Sequence, residues 1–223
     1  MVFLVDKHGY SDRKKATSRP ARGAIDRLAH SQTLRHSRFM TYVRSADPCD
    51  ADLLAPRLRL ADRSEIEAVV GSISPTVVLR RGVESSTPCF AVVANGSVLA
   101  LFGVVPIARL PETGSVWLLA SEDFAARPAF IVRSSKAWLA QLHERYRVLT
   151  NFVDARNEVH IRWLRWCGFV FVRKIERFGA MGLPFYEVRR ERDASTAEAR
   201  GPEGSLPDHR TIYASAQSPS ATK

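Results

Sequence analysis

Apolar positions along this chain change period several times, and each change marks an element. Ile66, Val69, Val70 and Ile73 recur at helical spacing. They follow Ser64-Glu65-Ile66-Glu67, a capping-box order that predicts the helix start. Ser74-Pro75 opens a second short helix, with proline in the first turn where its missing N–H costs nothing. Residues 90–94 and 98–105 are apolar strands joined by Asn95-Gly96, a pair that tolerates positive φ and predicts a tight hairpin. Residues 111–114 make another turn, and 116–119 form a third central strand. From 128 to 146 the period returns to helical, through Ile131, Trp138, Leu139 and Leu142. A short strand over 148–153 precedes Asn157, which predicts an N-cap for a helix carrying Ile161, Leu164 and Cys167 on one stripe. Residues 169–172 are the next strand, 179–182 a turn, and 185–188 the last strand.

The order helix, helix, three strands, helix, strand, helix, two strands predicts a mixed α/β (α+β) domain. A hairpin meander followed by alternating helices gives a mixed, mostly antiparallel sheet with helices on both faces. This domain spans residues 51–190. Residues 1–50 lack a sustained period and read as a basic extended arm, with a short helix at most over 22–29. Residues 191–223, rich in Ser, Ala, Pro and Gly, read as an extended C-terminal tail.

Charge sharpens the division. The net charge is +10, and residues 1–46 hold ten Lys or Arg against three Asp. Arg13, Lys14, Lys15, Arg19 and Arg22 are candidates to neutralise nucleic-acid phosphates or meet an acidic protein surface. A solvated tail accounts for the same composition. Arg162, Arg165, Arg173, Lys174 and Arg177 raise the same two readings for the last helix and strand, with Arg162 and Arg165 the candidate partner contacts. No apolar run is long enough to cross a bilayer, and the run 1–5 ends too soon for a signal peptide, so a soluble, non-secreted protein is expected. Cys49, Cys89 and Cys167 are widely spaced and make neither a disulfide framework nor a metal-ligand pattern. They read as buried or idle thiols, with no metal site.

The segment Asn157-Glu-Val-His-Ile-Arg-Trp-Leu-Arg-Trp-Cys-Gly168-Phe169 resembles the part of the GCN5-related N-acyltransferase (GNAT) fold in which an asparagine starts a helix that ends in Gly-Phe. That resemblance implies an acyl-coenzyme A site, and two of its usual features are missing. The loop after the third central strand, Ser121 to Ala129, has no glycine to let backbone amides approach a pyrophosphate. Its Glu122 and Asp123 would repel phosphate. The place of the general-acid tyrosine, four residues before Gly168, holds Leu164, which has no proton to donate. Substitutes are Glu122, Asp123 or His143 as bases, and Arg127, Arg133, Ser134 and Asn157 as cofactor-binding residues.

Asn151-Phe152-Val153, Asn157, His160-Ile161-Arg162-Trp163-Leu164 and Gly168 also resemble the internal virion protein A family of short-tailed phages. Upstream, Val116-Trp117-Leu118-Leu119, Ser121 and the basic-aromatic helix after Arg133 fit the same layout. Roughly residues 57 to 190 carry the likeness. It implies a catalytically lapsed acyltransferase fold without cofactor, acting as a structural virion protein in the internal core or head–tail complex. The partners implied are portal, adaptor or tail subunits, in multiple copies of a symmetric assembly, with the host cytoplasm as the site of assembly. Two alternatives stand beside it: an active acyltransferase using acetyl-CoA, and a DNA-contacting protein that assists packaging or ejection. His160 is expected to cap or pack, and Trp163 and Trp166 to anchor a core or an interface.

Overall fold

A computed structural model of the chain describes residues 41–192. The helix expected over 22–29, the candidates Arg13, Lys14, Lys15, Arg19 and Arg22, and the tail beyond 192 lie outside the described residues. The elements run β1 (Thr41–Ser45), α1 (Pro48–Leu54), α2 (Leu60–Val70), α3 (Pro75–Ser85), β2 (Cys89–Ala94), β3 (Ser97–Pro106), β4 (Thr113–Ala120), α4 (Glu122–Ala125), α5 (Pro128–His143), β5 (Val148–Asp154), α6 (Glu158–Trp166), β6 (Val170–Phe178) and β7 (Leu183–Glu191). The strands form one seven-stranded sheet in the order β1-β2-β3-β4-β5-β7-β6. Every pairing is antiparallel except β4 with β5.

Period-2 alternation sends side chains to both faces of this sheet, and both are covered. On one face Val92, Phe102, Val104, Val116 and Leu118 pack against Trp138, Leu139 and Leu142 of α5 and Ile161 and Leu164 of α6. On the other, Ala91, Val93, Leu101, Trp117 and Leu119 pack against Leu54 of α1, Ile66 of α2 and Val78, Leu79 and Val83 of α3. The expectation of a mixed sheet with helices on both faces holds. Asn95 and Gly96 take φ of 52° and 74°, which makes the β2–β3 turn the tight hairpin their dipeptide predicts.

Several boundaries differ from the sequence reading. Residues 41–50, assigned by composition to the basic arm, belong to the domain. β1 lines the edge of β2, and Asp47, whose side chain accepts from Cys49 N, caps α1 in a reciprocal capping box with Asp50. Helix α2 begins at Leu60, four residues before the expected cap, so Ser64 sits inside it and Glu65 is turned into the interior. The helix expected to reach 146 stops at His143, and the Tyr146 hydroxyl donates to Thr87 O across 2.6 Å. β6 and β7 are each nine residues, twice the expected length, because their outward positions are charged and hide the strand pattern.

Gly114 lies at the root of the single parallel pairing, opposite Leu149. A Cβ there would meet Val104 Cγ1 at 2.1 Å and Tyr146 Cδ1 at 3.0 Å, inside a packed core that has no room to yield. Gly114→Ala is therefore expected to lose about 1–3 kcal/mol, read as a lower urea midpoint at unchanged slope.

Candidate functional site

β4 and β5 pair over only three residues, Thr113–Ser115 against Val148–Thr150, and then diverge. Both strands continue, β4 to Ala120 and β5 to Asp154, so the sheet contains a fork open at the strands' C-terminal ends. Alternation directs the N–H and C=O of Val116, Leu118 and Ala120 into the fork from β4, and those of Phe152 and Asp154 from β5. Backbone groups that lose their ladder partner inside a protein must be satisfied some other way.

Three side chains and one backbone segment do this for groups of Val116, Ala120, Phe152 and Asp154. Asn151 donates from Nδ2 to Val116 O, and its Oδ1 accepts from Phe152 N at 2.6 Å. Asp62 Oδ2 accepts from Ala120 N at 2.8 Å, while Arg59 N donates to Ala120 O at 2.9 Å. Glu65 Oε1 accepts from Asp154 N at 3.3 Å. The first turns of α2 thus lie across the mouth of the fork, and Leu58 makes an antiparallel bridge to Ser121 beside them. Asn151, Asp62 and Glu65 are at most 1% exposed. Their burial is tolerable because each carboxylate or amide meets a donor or acceptor, and Asp62 is also paired with the Arg59 guanidinium at 2.6 Å.

His160 completes the cluster. It is buried, touches Trp163, and its Nδ1 makes no hydrogen bond. Burial, with the Arg59 charge adding to it, holds its pKa well below the usual 6.5. Asp154 feels burial pushing its carboxyl up, but the hydrogen bonds and charge of Arg156 outweigh that and hold it below the ordinary range. Outside the mouth is a cleft of about 380 Å³ between Ala61 and Ser64 of α2 and Asn157, Glu158 and Arg162 of α6. Inside, between β4 and the two helices α5 and α6, the free space is about 30 Å³, lined by Val116, Leu118, Ser135, Trp138 and Trp163. That is room for a water or two and not for a ligand arm.

Of the candidates read from sequence, Asn157 caps α6 as expected, its Oδ1 accepting from His160 N at 3.2 Å, and its buried Nδ2 has no partner. Arg127 heads α5, with Nε buried and without a partner, and Arg133 and Ser134 follow one to two turns later. Glu122 and Asp123 are ties to the start of α2: Glu122 Oε1 accepts from Leu60 N at 3.4 Å and Asp123 pairs with Arg57. His143 is not placed to serve as the base. It is buried at the far end of α5 with Nδ1 2.9 Å from Tyr146 O. Leu164 is fully buried in the apolar core. Of the thiols read as buried or idle, Cys49 is exposed, whereas burial pushes Cys89 and Cys167 up to about 12 and leaves neither reactive at neutral pH. Among the described residues no three His, Cys, Asp or Glu gather into a metal site, and no helix is long and apolar enough to cross a membrane. Asp62, Glu65 and Arg59 were missed because on a helix their spacing reads as an ordinary solvated face.

The comparisons with known proteins address the fold. No protein-family model matches the chain, and no curated protein is similar to it. Among solved structures it is similar to Ard1 from Thermoplasma volcanium, at 16% identity and a TM-score of 0.52, over 68% of this chain and 97% of that one. It is similar to the ribosomal-protein-S18-alanine N-acetyltransferase from Escherichia coli, at 14% identity and 0.51, over 68% and 94%. It is also similar to a GCN5-related N-acetyltransferase from Kribbella flavida, at 19% and 0.50, over 68% and 97%. The chain has the GNAT fold. Identities this low carry the fold alone, and the likeness to the phage internal virion protein family finds no support in these comparisons.

Two measurements probe the fork. Asp62→Ala strands Ala120 N–H and the Arg59 guanidinium together and is expected to lose about 3 kcal/mol or more in denaturant unfolding, whereas Asp62→Asn, which keeps an acceptor, loses less. For His160 the folded pKa lies below the unfolded one, so the unfolded chain binds the extra proton. Stability is then complete above about pH 6.5 and falls as the pH drops below it, by up to about 1.4 kcal/mol per unit from this group. His160→Gln should flatten that part of a stability-against-pH curve.

Proposed function

We propose that this protein keeps the acyltransferase fold with its donor fork closed by its own side chains, and that it works by docking on a macromolecular partner. The observation that carries this reading is the occupation of the fork. An acyl-thioester arm laid along β4 needs that strand's free backbone groups, and here Asn151 holds the Val116 carbonyl while Asp62 and the Arg59 amide hold both groups of Ala120. Three further features agree with it. The loop after β4 has no glycine, Leu164 stands where an acid would serve, and the space beneath β4 is about 30 Å³. The resemblance of Asn157 and the His160–Leu164 run to a phage internal virion protein supports placing this docking role in a short-tailed phage particle, against portal, adaptor or tail subunits. That placement rests on the resemblance alone.

N-acyl transfer is the second reading, and the comparisons taken alone favour it, since the Escherichia coli and Kribbella flavida proteins of like fold are N-acetyltransferases. It also has a specific observation behind it. The 380 Å³ cleft at the fork's mouth is lined by Asn157, whose buried Nδ2 has no partner, and by Arg156 and Arg162. In this reading acetyl-CoA would be the donor, and α2 would have to swing away from Ala120 and Asp154 before the donor entered.

Calorimetric titration with acetyl-CoA separates the two. The closed fork predicts no binding tighter than about 1 mM for the native chain. Micromolar binding, with acetyl transfer to a peptide amine, would establish the second reading instead. Mass spectrometry of purified phage particles, expected to find the chain at fixed stoichiometry to the portal, checks the placement separately.

A further inference from the structure

The two faces of the sheet carry different charge. On the helices that cover them, α1, α2 and α3 hold three Arg and six Asp or Glu, whereas α5 and α6 hold four Lys or Arg and one Glu. Within α5 and α6 themselves the cations are Arg133, Lys136, Arg162 and Arg165, and the one carboxylate is Glu158. Glu158 neutralises little. It stands 3.7 Å from Arg162, with the two side chains 82% and 69% exposed.

The helices are locked side by side. Both are crossovers that leave the same end of the sheet, α5 after β4 and α6 after β5, so they run parallel. Trp163 Nε1 donates to Ser135 Oγ at 3.2 Å, and Lys136 Nζ lies 5.9 Å from the centroid of the Trp166 ring. The Arg165 guanidinium is set over the Phe171 ring at 4.9 Å, which limits its freedom before any partner arrives. Trp166 is 46% exposed although it is held by Lys136. A large indole left on a surface, with the Lys136 ammonium over one side of its ring and Arg162 and Arg165 on the same helix, is an arrangement in which a base can stack while its flanking phosphates meet cations.

We propose that the outer face of α5 and α6 binds single-stranded nucleic acid, with Arg133, Lys136, Arg162 and Arg165 on the phosphates and Trp166 as the stacking platform. Charge complementarity selects a polyanion. Trp166 selects unpaired bases over a duplex, whose bases are stacked on one another, and over a run of carboxylates, which offers charge without a ring beside each anion. Arg162 also borders the cleft at the fork's mouth, whereas Arg133, Lys136, Arg165 and Trp166 do not line it, so the surface does not require the fork to be empty or filled.

The test is fluorescence anisotropy of a labelled single-stranded oligothymidylate with the full chain over a range of salt. Four neutralised phosphates contribute about 3 to the slope of log affinity against log salt for a single strand. The quadruple variant Arg133→Gln, Lys136→Gln, Arg162→Gln, Arg165→Gln is expected to lose that much slope, and all four positions are exposed on helices. Trp166→Ala is expected to weaken binding about tenfold with the slope unchanged, as a lost stack does. An unchanged slope in the quadruple variant would place any binding elsewhere, on the basic residues before 41, and overturn the proposal. So would a Trp166→Ala chain that binds as the native one does, or polyglutamate competing as well as the oligonucleotide at equal charge, since either means that charge alone is recognised.

Discussion

Three residues of parallel pairing between β4 and β5, and then a gap, set the terms for everything around them. A sheet that splits exposes a row of donors and acceptors in its interior, and such groups cannot be left dry without a cost of about 1–3 kcal/mol each. A fold of this kind can fill the row with water, with a ligand or with its own side chains. Here Asn151 bridges the fork near its root, while Asp62, Glu65 and the Arg59 amide close its mouth. The position of α2 follows from that. It starts at Leu60 because Leu58 and Arg59 must reach Ala120 and Ser121, and its far end is held by the β6–β7 turn, where Ala180 N and Met181 N donate to Val69 O and Ala68 O.

The electrostatics of the closed mouth follow from the same need. Main-chain N–H groups of two strands are the donors, so the side chains that meet them must be acceptors, and carboxylates are the strongest available. Buried carboxylates in turn call for cations, which Arg59 supplies to Asp62 and Arg156 to Asp154. The mouth is thus lined by Asp62, Glu65 and Asp154, with Glu122 and Asp123 just outside. Burial, with the Arg59 charge adding to it, favours the neutral form of His160. Such a site is matched to the amides it already holds. A polyanionic donor would have to break an ion pair and a set of buried hydrogen bonds before gaining any of its own.

How legible this was depended on the range of each signal. The Asn95-Gly96 hairpin, the Asn157 cap, the apolar strands at 90–105 and 116–119 and the stripe of α6 are local events written in adjacent residues, and each was readable. The sheet's class followed from their order. What stayed hidden was set by distant contacts. β1 is five residues of an edge strand within a basic stretch, with no period long enough to detect. The true start of α2 lay four residues before a convincing capping box, because pairing with β4 overrode the local preference. The site residues were hardest. Glu122, Asp123 and Arg127 could be named from their place after β4, but Asp62 and Glu65 look like ordinary helix-surface acids until Ala120 and Asp154 are known to lie above them.

The polar residues of this protein therefore divide by what they face. At the fork, opposite charges and backbone groups are matched inside the structure, so polar side chains are consumed in holding the fold. On the outer face of α5 and α6 the balance is reversed: four cations share one loosely held carboxylate, and an indole stays at the surface. Stability does not ask for this second arrangement, since like charges on adjacent helices repel and an exposed tryptophan gains nothing from water. The groups that stability leaves unexplained are the ones free to meet a partner. In this molecule they lie on the helices' outer surface, which meets the cleft only at Arg162.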